Sequence, residues 1–293
     1  MLDEANRKVA EWLPRLEREG IHGADAIFAC IGPALEVYSR YERVETAGGQ
    51  AIPLGVVRNG RGQVVQRGFL SYVWEAVARE ALKIIFPDAD PAGFEEDARV
   101  TAMWLWTLRG RVNGAAFEEP EEETLAEVEV GGTGISPVRG YTLPYDDARL
   151  LIQALGAHED QLKRPGGILG VKGNTAILLP VAERRRFLLG KQSSTVQRPL
   201  PQKQLSLFEE GEPTPQEEAV EPRESTLDRL HQAMLLFAGG RSEALRRFLV
   251  DDGVGRDAQF WRLADALSRL YPMNSQEKRW VDGLLAKKKS LEV

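Results

Sequence analysis

Side chains that commonly act as nucleophiles or metal ligands are few in this sequence and stand far apart. There is one cysteine, Cys30, and there are three histidines, His22, His158 and His231. A zinc ribbon needs four Cys or His ligands, so this count excludes one. Cys30 stands in an apolar stretch, where a cysteine usually behaves as a small hydrophobe; nucleophilic pairing with His22 is the alternative. The sequence therefore predicts no metal site.

The glycine-rich segment Gly131–Gly134 falls short of what a phosphate-binding loop requires. It reads GGTG and lacks the Lys-Ser/Thr that completes a P-loop, and it lacks the spacing of a dinucleotide fingerprint. We interpret it as a turn. The glutamate-rich runs also lack a partner that would make one carboxylate an acid and another a base. These patterns predict a chain with no catalytic residue and no cofactor.

Basic side chains gather between residues 163 and 186, although the chain as a whole is acidic. It has 38 Lys and Arg against 44 Asp and Glu, for a net charge of −6. Any contact with nucleic acid must therefore come from a local patch. We predict a DNA-contacting rim formed by Lys163, Arg164, Lys172, Arg184, Arg185 and Arg186. A solvated surface used for docking between domains is the alternative interpretation.

Composition also bounds the compartment in which the chain works. A single cysteine cannot form an internal disulfide, which fits a reducing cytoplasm. No stretch reaches the roughly 18–20 apolar residues that a membrane span needs. Met1–Gly20 is charged throughout and does not read as a signal peptide. We expect a cytoplasmic protein with no membrane partner.

The elements that must position these side chains are mostly helices, and the predicted fold class is mainly α with small β-hairpins (α+β). Helical spacing of apolar residues predicts amphipathic helices at both ends of the chain and in its middle, over Leu2–Glu19, Phe69–Phe86, Phe94–Leu108 and four segments after Ser225. Asn-Gly and Gly-Asn steps predict hairpins over Ile52–Gln66 and Gly167–Pro180. Trp104 and Trp106 are expected in the core, a base-stacking platform being the alternative.

These elements divide the chain into four predicted parts. Residues 1–117 form a helical domain with one β-hairpin, and residues 118–189 form a winged-helix-like module of helix, helix and hairpin. Residues 190–224 are rich in Pro, Gln and Glu and poor in branched apolar residues, a composition typical of a flexible linker. Residues 225–293 form a C-terminal helical bundle.

The stretch Gly23–Val44 is almost uniformly apolar up to Leu35 and then becomes amphipathic. We expect Pro33 to open a short helix, since proline is favoured in the first turn. The segment that follows carries both hydrophobic and polar side chains at helical spacing. Its most distinctive residues are Ile31, Gly32, Pro33, Tyr38, Arg40 and Tyr41.

This stretch resembles a segment of the large bacterial and archaeal adenine-specific DNA methylases, the group described as containing a zinc ribbon. Looser likenesses follow in similar order around Arg99–Leu108, over Leu143–Pro180 and from Ser225 onward. In that family the catalytic domain precedes such elements, and here the Asp/Asn-Pro-Pro-Tyr/Phe motif that holds the flipped base is absent. The glycine-bearing turn that binds S-adenosylmethionine is absent as well.

The resemblance implies the non-catalytic C-terminal portion of such a methylase. Its expected role is an accessory or DNA-recognition subunit that holds a catalytic DNA methyltransferase or its DNA, in a restriction-modification or phage-defence system. A free-standing winged-helix DNA-binding protein is an alternative. The chain would take part in adenine methylation only when complexed with a catalytic subunit.

A short motif within the predicted linker suggests another partner. Gln204, Leu205, Ser206, Leu207 and Phe208 resemble the peptide by which replication-linked enzymes bind the bacterial sliding clamp. In an extended peptide, Leu207 and Phe208 would enter an apolar site while Gln204 forms hydrogen bonds at its rim. A replication-linked adaptor is therefore an alternative function. Docking of the same apolar side chains onto their own domain is the other interpretation.

Overall fold

The computed structural model describes residues 1–41, 44–55, 57–58, 64–109, 126–129, 135–138, 141–190 and 224–288. These residues form mainly helices, as the sequence predicts, together with short antiparallel strands. The helices are α1 Leu2–Arg18, α2 Gly23–Ser39, α3 Phe69–Ile85, α4 Glu96–Leu108, α5 Tyr145–Ala154, α6 Glu159–Lys163, α7 Arg185–Gly190, α8 Thr226–Ala238, α9 Ser242–Arg246, α10 Ala258–Leu270 and α11 Gln276–Lys288. Within this part of the chain, none of the helices combines the length and the apolar character needed to cross a membrane.

The first two helices pack on each other and on α3. In α1 the buried side chains Val9, Leu13 and Leu16 recur at helical spacing, which confirms the prediction for this segment. The prediction for α2 was wrong in its start: the helix begins at Gly23, and Pro33 lies inside it. Burial continues at helical spacing on both sides of the proline, and this packing offsets the hydrogen bond that proline cannot donate.

Helix α4 lies at the centre of the molecule and contacts α2, α3, α5, α8 and α10. Every residue from Val100 to Leu108 is buried. Trp104 and Trp106 are core residues, as expected, and their indole N–H groups find acceptors there. Trp104 donates to the carbonyl oxygen of Tyr141 at 2.9 Å, and Trp106 donates to the Glu17 carboxylate at 2.6 Å.

A three-stranded antiparallel sheet packs beside these helices. Its strands are β5 Tyr141–Pro144, β6 Leu169–Lys172 and β7 Thr175–Leu178, in the order β5-β7-β6. The β6-β7 hairpin is as predicted and turns at Gly173, whose φ of 53° favours glycine. Strand β5 was not predicted. Two further hairpins, β1 Val57–Arg58 with β2 Val64–Gln66 and β3 Ala126–Glu129 with β4 Ile135–Val138, are separate two-stranded sheets.

The C-terminal helices share their core with the earlier part of the chain. Helices α8 and α10 pack against α4, and α7 packs against α8. Polar contacts strengthen this attachment: Arg269 donates to the Ile85 carbonyl oxygen at 3.1 Å. The buried carboxylate of Glu277 accepts from the Tyr141 hydroxyl at 3.1 Å and from the Val181 N–H at 3.2 Å. Residues 191–223 of the predicted linker lie outside the described residues.

Candidate functional site

The polar residues of the IGP-containing segment are held by helix α1. Arg40 and Tyr41, just after α2, both bond to Glu4: the guanidinium at 3.1 Å and the phenol at 3.3 Å. Arg40 also pairs with Glu36 at 2.6 Å. Tyr38 donates to the Ile52 carbonyl oxygen at 3.3 Å, and its ring packs against Phe69. These contacts fasten the end of α2 to its surroundings, which is a structural role.

Helix α2 also carries apolar residues that do not face the core. At 100° per residue, Ala24, Phe28, Ile31 and Leu35 share one face, and the buried residues Ala26, Ile27, Cys30, Ala34 and Val37 occupy the other. The Phe28 side chain is 70% exposed, whereas its neighbours on this face are half-buried. We call Ala24, Phe28, Ile31, Gly32 and Leu35 the outer stripe. Its five members are uncharged, while Asp25 and the exposed Glu36 lie beside Gly32 on the outward side of the helix, where polar residues are normal.

The predicted basic rim is divided between exposed and interior positions. Arg164, Lys172, Arg185 and Arg186 are exposed, and Lys163 pairs with Glu159 on α6 while its ammonium lies 5.3 Å from the Tyr145 ring. Arg184, in contrast, is only 3% exposed. It is therefore not part of an exposed rim, and its guanidinium lies in an interior polar network. DNA contact by the exposed members remains a prediction.

That network joins residues before and after the predicted linker. Arg184 forms an ion pair with Asp228 and donates two hydrogen bonds to the Gly166 carbonyl oxygen, at 3.0 and 3.2 Å. Its third partner is His231, at 2.8 Å, which in turn lies 3.4 Å from the Tyr271 hydroxyl. Burial, and then Arg184, hold the pKa of His231 well below its usual value. The imidazole is therefore neutral around neutral pH.

A cavity of about 430 Å³ opens beside this network, where the start of α4 meets α6 and α8. Three consecutive carboxylates on α4 or at its start bind two other segments. Glu95 accepts from the N–H and hydroxyl of Thr226, both at 3.3 Å, and Glu96 accepts from the His158 N–H at 3.0 Å. Asp97 accepts from the Ser225 hydroxyl at 2.5 Å. The start of α4 thus holds the start of α8 and of α6.

The position of Asp97 disfavours the charged form of its carboxyl group. Burial raises the pKa of its carboxyl group above the usual value, and the neighbouring Asp228 adds to the effect. Hydrogen bonds from Ser225 and from the Ala98 N–H oppose the shift, as does the charge of Arg184. A carboxylate of perturbed pKa in a cavity is a common feature of functional sites, although structural networks also produce it.

Two arginines of the cavity wall have donors without an acceptor among the described residues. Arg99 makes one long hydrogen bond, 3.4 Å from Nη1 to the Leu155 carbonyl oxygen, and its buried Nε has no partner. Arg164 has no ion pair or side-chain hydrogen bond within the described part of the chain. The rest of the wall combines polar and apolar residues: Phe94, Glu95, Glu96, Asp97, Gln161, Leu162, Gly166, Gly167, Ile168, Arg184, Ser225 and Asp228.

Other candidates for chemistry have structural surroundings. Cys30 is buried, and burial raises the pKa of its thiol to about 11, so it is a protonated thiol at neutral pH. His22 lies 2.6 Å from the Glu17 carboxylate, which also binds Trp106. Over the described residues, no three His, Cys, Asp or Glu side chains are grouped so that they could hold a metal ion.

Sequence reasoning missed the two features that the structure brings forward. Phe28 belongs to an apolar run, and the only available signal was that this run is apolar on all sides of a helix. The cavity unites residues more than a hundred positions apart, such as Asp97 and Ser225, and no local pattern marks it. The clamp-like residues Gln204, Leu205, Leu207 and Phe208 lie outside the described residues.

Comparison with known proteins adds no relative: no family model, curated protein or solved structure matches this chain.

Proposed function

We propose that this chain is a non-catalytic accessory subunit of an adenine-specific DNA methyltransferase system, and that it binds the catalytic subunit through α2. The observation that carries the proposal is the outer stripe, in which the exposed Phe28 lies beside apolar residues and which includes Ile31 and Gly32 of the segment on which the family resemblance rests. The partner would be the catalytic DNA methyltransferase, since the chain lacks the base-binding motif itself.

Energetics favour Phe28 as the centre of such an interface. An aromatic side chain that is 70% exposed leaves most of its apolar area in water. Burying a Phe side chain completely contributes about 1.5–3 kcal/mol. Aromatic residues are also enriched among the few side chains that dominate binding energies. The half-buried Ile31 and Leu35 would form the surroundings from which water is excluded.

Co-purification tests this function directly. The full chain and an adenine-specific methyltransferase encoded beside it are produced together, and the complex is captured through a tag on either one. Phe28→Glu should weaken the complex by about 10- to 100-fold, since each 1.4 kcal/mol corresponds to tenfold in affinity. Met273→Glu is the matched control, because Met273 is 80% exposed and lies between α10 and α11. No complex with the unmodified chain would refute the proposal.

The finer architecture proposed for residues 118–189 is a winged-helix-like module that contacts DNA. The order of its elements supports this: strand β5, helices α5 and α6, then the β6-β7 hairpin, all around one sheet. Arg185 and Arg186 are exposed beyond the hairpin and Arg164 just before it. The acidic residues Glu159 and Asp160 on α6 oppose close approach of that helix to phosphates. Backbone contact through the arginines is therefore the favoured mode.

The salt dependence of duplex binding tests whether these arginines contact DNA phosphates. Binding of a duplex by the full chain should fall steeply as salt concentration rises, with a slope that reports the number of phosphates neutralised. Arg185→Gln together with Arg186→Gln should weaken binding and lower this slope by about two. An unchanged slope in the double variant would remove these residues from the DNA surface.

A second candidate function is favoured by Gln204–Phe208, which resembles a sliding-clamp-binding peptide. An adaptor of this kind would bind the clamp in a manner independent of α2. Replacing Leu207 and Phe208 together by Ala should abolish capture of the chain on immobilised clamp, while Phe28→Glu should leave it unchanged. If the unmodified chain fails to bind the clamp, this candidate is eliminated.

A further inference from the structure

The cavity between α4, α6 and α8 has the features of a ligand site rather than of a structural junction alone. Its four carboxylates all have protein partners: Glu95 with Thr226, Glu96 with His158, Asp97 with Ser225 and Asp228 with Arg184. These contacts link the segments that surround the cavity. Among the described residues, the Nε–H of Arg99 and the side-chain donors of Arg164 have no acceptor.

Unused guanidinium groups in a cavity point to an anion. Arginine presents a planar fork of donors that matches the oxygens of a phosphate or carboxylate, and it keeps its charge at any relevant pH. The buried Nε–H of Arg99 has no acceptor in the part of the chain that the structure describes, and an unsatisfied buried donor is costly. Arg164 lines the same cavity and is exposed to solvent, and the Arg99 side chain as a whole is half-buried there.

The size and lining of the cavity suggest that the anion is part of a larger molecule. A volume of about 430 Å³ falls within the range of sites for small organic ligands. Phe94, Leu162 and Ile168 offer apolar wall, and Gln161 and Ser225 offer polar groups. We infer that this cavity binds a small phosphate-bearing molecule of about nucleotide size, whose phosphate group is held by Arg99 and Arg164.

The charged residues that line the cavity lead to a specific prediction about ligand binding. Three guanidinium groups and four carboxylates line it, so the ligand's negative charge is opposed by the acidic residues that remain. Removing one of those negative charges should therefore tighten binding, whereas removing either free guanidinium should weaken it. Loss of folding would change all variants in the same direction, so opposite signs separate binding from instability.

The test measures binding of inorganic phosphate, pyrophosphate and adenosine monophosphate to the full chain, by calorimetry and by thermal unfolding at low ionic strength. Ligands that bind only the folded state raise its melting temperature. Arg99→Gln and Arg164→Gln should each weaken binding of the best probe at least about tenfold, as expected for a charged hydrogen bond. Asp97→Asn, which keeps an acceptor for Ser225, should tighten it severalfold.

Controls decide between the cavity and other sources of phosphate binding. Arg186→Gln removes the same charge as Arg164→Gln from an exposed position outside the cavity, and it should leave the affinity unchanged. Equal losses in the two variants would overturn the inference, since binding would then reflect general charge. No binding of any small probe would also overturn it. So would binding of a DNA duplex that needs Arg164 when the small probes do not bind.

Discussion

Arg184 and His231 lie 2.8 Å apart, guanidinium to imidazole, in the interior of the molecule. Arginine can only donate, so Nδ1 of His231 must be the acceptor and the ring must be neutral, with its proton on Nε2. That proton points to the Tyr271 hydroxyl, 3.4 Å away. The relationship determines both the protonation state and the tautomer of His231, and it gives this region a defined response to acid.

We expect the free energy of unfolding to fall as the pH drops below about 6.5. The pKa of His231 is lowered in the folded protein, so the unfolded chain takes up a proton there first and gains stability relative to the folded state. The largest contribution of one such group is about 1.4 kcal/mol per pH unit. Urea unfolding of the natural chain and of His231→Gln, at a series of pH values, measures it. An identical pH profile for both would contradict the prediction.

At alkaline pH the buried phenols should produce the opposite trend. Burial, and then the charge of Glu277, raise the pKa of both Tyr141 and Tyr271. Their contribution to stability is complete below about pH 10, the unfolded value, and is lost as the pH rises further. In the Tyr271→Phe variant, the free energy of unfolding should therefore fall less steeply at alkaline pH. The absorbance of ionised tyrosine, followed during an alkaline titration together with unfolding, checks this prediction. The phenols of Tyr141 and Tyr271 should ionise only as the protein unfolds.

Neighbouring arginines should differ greatly in their effect on stability. Arg184→Ala leaves the half-buried Asp228 carboxylate without its partner and removes the donor to the Gly166 carbonyl oxygen. Breaking a buried pair in this way costs about 3–5 kcal/mol. Arg185→Ala removes an exposed side chain and should cost less than about 0.5 kcal/mol. Chemical unfolding of both variants makes the comparison, and similar losses would contradict the network described above.

Two glycines allow a similar test of backbone packing. A Cβ atom at Gly167 would lie 2.2 Å from the Leu162 carbonyl oxygen, so Gly167→Ala must displace the backbone and should cost about 1–3 kcal/mol. A Cβ at Gly32 would meet nothing within 4 Å, and this residue lies within α2. Gly32→Ala should therefore stabilise the chain by about 0.5–1 kcal/mol. Destabilisation by Gly32→Ala would argue against a continuous α2.

Local patterns in the sequence account for most of the helices and for little of the site. The spacing of Val9, Leu13 and Leu16 was enough to predict α1, because a helix depends on residues three and four positions apart. Strand β5 was missed because its partner, β7, lies more than thirty residues further along the chain. Arg184, Arg185 and Arg186 were all expected at the surface. Only Arg184 is buried, because it contacts Asp228 and His231, which are far away in the sequence.

The attachment of α8 to α4 and α7 has a consequence for how the molecule can be built. Gly190 and Glu224 border the linker, yet the contacts of Arg184 with Asp228 and of Asp97 with Ser225 join the two sides without it. Peptide-bond continuity between residues 190 and 224 is therefore not what keeps the halves together. Two separately synthesised fragments, divided in this region, should therefore reconstitute one particle.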